Sequence, residues 1–330
     1  MNGLSKVVLP LLILLAVLTA AFPAAAHSVI IFPGASFEEA IAAEHDDFLF
    51  DVGETGRFVI LGGHHFEYDW FGVEPLDVKM KKPDGTVVTL SQKNATADYT
   101  HPASKERSTL TYQIAEATFD QAGIYMIYGT EVDEKGNTDS PKLLVYVGSD
   151  DTWTGWNTEI GLPAEVIPYT RTMNLRAGDV LSARFIAGGA AVPEYTMIFS
   201  EPSRTAQTAA ASFDEIVREF PTTEESTYLI YSKATSTNAA GDFMTTVDEP
   251  GLWVTVARTT NAKGLQDATT LIYPVMKSYD TFGPAAASDD APADANGESP
   301  STPGFTALAF AGAAGLAGLA AFMGRRNKNN

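Results

Sequence analysis

The chain contains no cysteine among its 330 residues. Disulfide staples, thiolate metal sites, iron–sulfur clusters and a cysteine nucleophile are therefore excluded. Positive charge is scarce: 22 Lys and Arg stand against 41 Asp and Glu, a formal net charge of −19. An acidic chain without a basic stripe does not engage a phosphate backbone, so nucleic acid is not a partner. Enzyme signatures are missing as well. There is no Gly-x-Ser-x-Gly, no His-Glu-x-x-His and no P-loop, and the chain reads as a non-enzyme. Histidine is rare and confined to the first third, as His27, His45, His64, His65 and His101.

The two ends point to an exterior protein. Lys6, an apolar run over 7–22 and Pro23-Ala24-Ala25-Ala26 form the three parts of a secretory signal peptide, residues 1–26. Cleavage after Ala26 makes His27 the first mature residue; the alternative is an uncleaved anchor helix. At the other end, residues 280–303 are rich in Pro, Ala, Ser and Asp and read as a disordered acidic stalk. Residues 306–323 are uncharged and apolar, enough for a transmembrane helix of about 27 Å. Arg325, Arg326 and Lys328 follow and would stay in the cytoplasm. Pro303-Gly304-Phe305, the apolar span and Arg325-Arg326 together resemble the PGF-CTERM sorting signal of archaeal surface proteins. That resemblance implies, for residues 304–330, attachment to the archaeal cell membrane within an S-layer, through the helix or through a lipid that replaces it.

Between the ends, apolar segments are short and rich in Val, Ile, Tyr, Phe and Thr: 57–61, 76–80, 86–90, 109–114, 124–130 and 143–147. Turn signals such as Pro83-Asp84-Gly85 and Glu134-Lys135-Gly136-Asn137 separate them. This spacing predicts an all-β protein of antiparallel sandwiches. Ser36-Phe37-Glu38-Glu39 and Ser212-Phe213-Asp214-Glu215 are capping boxes for two short helices, or surface turns. Asp120-Gln121-Ala122-Gly123-Ile124-Tyr125 resembles the tyrosine corner of immunoglobulin-like sandwiches. A related string, Asp248-Glu249-Pro250-Gly251-Leu252-Trp253, recurs later. Gly188 to Pro193 and Asn238 to Phe243 resemble the turns of transthyretin-like sandwiches. The reading is an N-terminal sandwich over 27–148, a junction over 149–168 and a C-terminal sandwich over 169–279. Trp153 and Trp156 in the junction either pack between domains or form a sugar-stacking platform.

The histidines suggest a metal. Neutral imidazole is the commonest protein ligand for Ni, Co, Cu and Zn. As a mature N-terminus, His27 offers an imidazole and a free α-amine, which close one chelate ring. His64 and His65 follow a strand and Gly62-Gly63; in an extended chain only one of them faces His27 unless a bulge intervenes. Glu67 or Asp69 is a further ligand or an orienter of one. The metal set is His27, His64, His65, Glu67 and His101, whereas His45 beside Asp46-Asp47 reads as a turn residue. The alternative leaves the aromatics Phe66, Tyr68 and Trp70 in a core and the acids in water.

The start His27-Ser28-Val29-Ile30-Ile31-Phe32-Pro33 and the string Gly63-His64-His65-Phe66-Glu67 resemble a secreted family of unknown function, often described as a periplasmic component of nickel or cobalt transport. Ile167-Pro168, Leu175-Arg176-Ala177-Gly178-Asp179 and Pro250-Gly251-Leu252-Trp253 extend the likeness over 27–276. His65 stands where the family has Pro. The resemblance implies a tethered surface protein that binds nickel or cobalt, with copper as an alternative, and serves a metal-uptake transporter. The competing reading is a structural or adhesion module of the cell envelope that holds no metal. Asn94-Ala95-Thr96 is a glycosylation sequon.

Overall fold

The computed structural model describes residues 28–64, 68–73, 76–101, 104–194, 197–203 and 233–278. The signal peptide, His27, His65, Glu67, the second capping box, the stalk and the C-terminal apolar span lie outside the described residues. Among the described residues no helix is long and apolar enough to cross a membrane.

The first half of the chain begins with β1 (Ser28–Pro33), helix α1 (Phe37–Ile41), β2 (Leu49–Phe50) and β3 (Thr55–His64). It continues through β4 (Asp69–Phe71), β5 (Lys79–Lys81), β6 (Val87–Thr89), β7 (Gln92–Thr100) and β8 (Arg107–Thr118). It closes with β9 (Gly123–Tyr128), β10 (Glu131–Val132) and β11 (Thr138–Val147). The second half holds β12 (Ala164–Pro168), β13 (Val180–Ala187), β14 (Ala190–Ala191) and β15 (Met197–Pro202). Then come β16 (Lys233–Thr235), β17 (Asp242–Thr246), β18 (Gly251–Thr260) and β19 (Gln266–Val275).

Three sheets result, and the all-β, mainly antiparallel sandwich architecture is as expected. One sheet runs β1-β3-β8-β7 with β4 beside β3; another runs β12-β13-β14 with β17 on β13. The large sheet between them runs β16-β15-β18-β19-β11-β9-β5-β6. Its centre joins the two halves: β11 and β19 pair in parallel, from Thr138↔Asp267 to Leu143↔Ile272. Strand β1 packs on both, and β12 packs on both from the third sheet. A strand covered on both faces buries every side chain, and this is why Leu143-Leu144-Val145-Tyr146-Val147 reads as a continuous apolar run. Gly56 shows how tight the first core is: a Cβ there would meet Phe119, Phe50 and Phe58 at 2.9–3.0 Å.

Local signals are used as the sequence suggests. Ser36 caps α1 by accepting from Glu39 N–H at 3.2 Å, and Glu39 Oε2 accepts from Ala35 N–H at 2.7 Å. The Pro83-Asp84-Gly85 turn links β5 and β6, with Gly85 at φ 88°. The tyrosine corner is present: Tyr125 Oη donates to Gln121 O at 3.1 Å and accepts from Gln121 N–H at 3.0 Å. Strand β7 is the element the pattern hid. Its polar sequence, which includes Asn94, pairs along one side only among the described residues, with β8. The junction stretch 149–168 contains a turn of 3-10 helix and then β12. Trp153 there is packed, not a platform: its ring meets Tyr146 edge-on at 5.0 Å and its Nε1 donates to Val147 O at 3.2 Å. Trp156 is partly buried against the same core.

Candidate functional site

The histidine end of the first sandwich is built around the end of β3. Antiparallel pairing of β1 with β3 runs from Pro33↔Phe58 up to Ser28↔Gly63. His64 is the next residue and the last of β3; its register partner on the opposite flank is Asp69 of β4. Gly62 lets β4 approach, because a Cβ there would lie 2.2–2.8 Å from the Phe71 ring. Tyr68, the residue before β4, sits at φ 56°, an uncommon conformation for an aromatic residue. Tyr99 holds it from β7: Tyr99 Oη donates to Tyr68 O at 2.6 Å and accepts from Trp70 N–H at 3.3 Å. Phe32, Phe37, Tyr68, Trp70, Tyr99 and Tyr112 form one aromatic cluster beneath. Tyr68 and Trp70 therefore fill a core, as their alternation suggested, while Phe66 lies outside the described residues.

The start of β1 is gripped by the seam between the halves. Val29 N–H donates to Asp139 Oδ2 at 2.8 Å, and Val29 O accepts from Thr270 Oγ1 at 2.7 Å. Arg258 Nη2 donates to Ser28 Oγ at 2.7 Å. Side chains from β11, β18 and β19 thus satisfy the outer edge of β1, which no strand among the described residues covers. Asp139 Oδ1 has no hydrogen-bond partner. Burial pushes the Asp139 carboxyl up to about 7, against the pull of Val29 N–H and the Arg258 guanidinium.

The other two described histidines, His45 and His101, sit in turns. His45 opens a 3-10 turn, and its Nδ1 lies 2.9 Å from Asp46 Oδ1, as a turn residue should. His101 follows β7, and its Nδ1 accepts from Ser104 N–H at 3.1 Å. Among the described residues no three His, Asp or Glu side chains come together as a metal cage.

A second cluster escaped the sequence reading. Lys142 of β11 and Glu165 of β12 form an ion pair at 2.9 Å with side chains only 1% and 0% exposed. Glu165 also accepts from Ile160 N–H at 3.0 and 3.1 Å and from Gly161 N–H at 3.1 Å. Burial pulls the Lys142 ammonium down from the usual lysine range, and the Glu165 carboxylate resists. Ile160 and Gly161, whose N–H groups Glu165 accepts, also line a cavity of about 300 Å³ together with Asp77, Lys79, Tyr128 and Gly129, among others. The one sequence signal was Lys142 itself, a single charge ahead of a fully apolar run.

With this geometry in hand, comparison with known proteins places the chain. The model of one family, Domain of unknown function (DUF4198), matches residues 41–261. The chain belongs to that family. No curated protein matches this DUF4198 chain. Solved structures to which it is similar include a Ca²⁺-stabilised ice-binding adhesin of an Antarctic bacterium, at 12% identity and TM-score 0.22, over 77% of this chain and 50% of that one. The chain thus spans half the length of that relative. Others are the fibronectin(III)-like modules of Clostridium thermocellum CbhA, at 10% identity and TM-score 0.21, over 75% and 95% of the two chains, and murine CEACAM1b, at 9% identity and TM-score 0.18, over 76% and 100%. These likenesses are too distant to carry a function.

Proposed function

We propose that this DUF4198 protein is an exported, membrane-tethered domain that binds a divalent transition metal, nickel or cobalt first and copper second, and passes it to an uptake transporter. One observation supports the reading above the others. The β1–β3 register ends at Ser28↔Gly63 with His64 next in line, and His64 pairs with Asp69 on its other side. A mature chain beginning at His27 would bring an imidazole and an α-amine to the position opposite His64. His65 and Glu67, which lie between β3 and β4 in the sequence, would supply further donors. His101 is the weaker candidate, since its Nδ1 already accepts from Ser104 N–H. Anchoring is assigned to the C-terminal apolar span or a lipid replacing it.

The test is calorimetry with Ni²⁺, Co²⁺, Cu²⁺ and Zn²⁺ on protein whose N-terminus is His27. Binding should weaken strongly when one residue is added before His27, because the amine becomes an amide. Affinity no tighter than about 0.1 mM for every metal overturns the reading. A module of the cell envelope without metal would then stand. It is favoured by the continuous sheet through β11 and β19, which joins the two halves by strand pairing.

A further inference from the structure

We propose that Lys142 and Glu165 condense into an intramolecular amide that ties the large sheet to the third sheet. The reacting groups already touch: Nζ lies 2.9 Å from Oε1, and both side chains are out of water. A buried ion pair is costly to keep charged. Converting it to a neutral amide removes both charges at once.

The surroundings suit acyl transfer. Glu165 Oε2 receives N–H groups from both Ile160 and Gly161, at 3.0 and 3.1 Å. Two backbone donors on one carboxyl oxygen stabilise negative charge there as the carbon becomes tetrahedral. The same oxygen stays behind as the amide carbonyl with its donors in place. Oε1, next to the lysine, is the leaving oxygen. Burial favours the neutral amine, which is the nucleophilic form. Tyr128 stands alongside: β9 and β11 pair at Met126↔Leu144, and Gly129 N–H bonds Pro141 O at 3.2 Å, so the register sets Tyr128 beside Lys142. Its hydroxyl can carry a proton between the pair and the adjoining cavity, whose wall includes Tyr128, Ile160 and Gly161.

The step balances without a co-reactant. The ammonium passes a proton to Oε1 across the hydrogen bond, and the amine attacks Cδ. The Nζ–Cδ bond forms and the Cδ–Oε1 bond breaks. Oε1 leaves with two of the three ammonium protons as water, which exits through the cavity, and the third proton remains on the amide nitrogen. No electrons are transferred and the net charge is unchanged. In a chain without cysteine, the product would be a covalent staple between β11 and β12.

Trypsin reads the result directly. Lys135, Lys142 and Arg171 are consecutive cleavage sites, so an unlinked chain yields peptides 136–142 and 143–171. The full chain, purified, unfolded in urea and digested, should instead yield one peptide, 136–171, lighter than its sequence mass by one water. Fragmentation should leave the segment from Lys142 to Glu165 as a closed loop. Glu165→Ala should restore cleavage after Lys142, and Lys142→Arg should give the two peptides at full mass. If the wild-type protein gives 136–142 and 143–171 at full mass, the pair is ionic only and the proposal is overturned. Because the decisive reading is made on wild-type protein, a variant that fails to fold does not spoil it.

Discussion

Tyr125 and Trp253 hold matching corners in the two halves of the chain: each donates to the carbonyl four residues upstream, Tyr125 to Gln121 O at 3.1 Å and Trp253 to Glu249 O at 3.0 Å. The match extends beyond the corners. Strand β9 starts at Gly123 and β18 at Gly251; β11 spans Thr138–Val147 and β19 spans Gln266–Val275, all at one constant offset. The turns between them also agree, with Gly136 N–H bonding Asp133 O and Gly264 N–H bonding Asn261 O, both at 2.9 Å. The two halves repeat one corner–strand–turn–strand unit, and the parallel β11–β19 contact sets the copies side by side.

The corner bonds should be worth measuring one at a time. Tyr125→Phe removes a hydroxyl that serves Gln121 N–H, Gln121 O and Asp120, and should lower stability by about 1–2 kcal/mol in urea unfolding. Trp253→Phe should cost more, because it empties part of a fully buried site as well as losing the bond to Glu249.

Asp139 predicts a pH dependence of folding. Its carboxyl titrates at about 7 in the fold against an ordinary 3.8. Between those values the folded chain holds a proton that the unfolded chain has released, so stability falls as pH rises through the window and levels off above it. The slope should approach about 1.4 kcal/mol per pH unit. Glu131 strengthens the shift, while Arg258 opposes it. Asp139→Asn should flatten the curve; an unchanged slope in thermal melts from pH 4 to 8 would sink this account.

Metal binding should weaken as pH drops from about 8 to 5, since an α-amine and imidazoles must both lose protons to ligate. His64→Ala should abolish most of the affinity, whereas His45→Ala should leave it within error, given the pairing of His45 with Asp46. Equal losses from the two substitutions would point away from the β3 end.

Gly62→Ala probes the same end through packing. The added methyl meets the Phe71 ring far inside contact distance and should shift β4, costing about 1–3 kcal/mol. Because β4 carries Asp69, metal affinity should fall with it.

The halves should not survive separation. A chain ending after residue 148 would expose the edge of β11, whose Leu143 to Val147 are all buried in the intact protein. Such an edge aggregates. Light scattering of the two separated halves, and a single cooperative transition for the intact body, check this.

What the sequence alone determined was local. Short β-branched segments between Gly, Pro and Asp turns specify an all-β chain, Ser36 and Glu39 specify the cap of α1, and Asp120-x-x-Gly123-x-Tyr125 specifies a corner, because each depends on residues a few positions apart. The repeat was visible only as two corner strings; the strands that follow them share spacing rather than identity. Tertiary structure decided the rest. The parallel contact of β11 with β19 joins residues more than a hundred positions apart through backbone groups, which carry no residue code. Lys142 and Glu165 meet only because β12 crosses that seam, so neither charge signals its partner in the sequence. His64 was legible as a residue type, but its place beside Asp69 and one step beyond Ser28↔Gly63 followed from strand register, which long-range packing fixes.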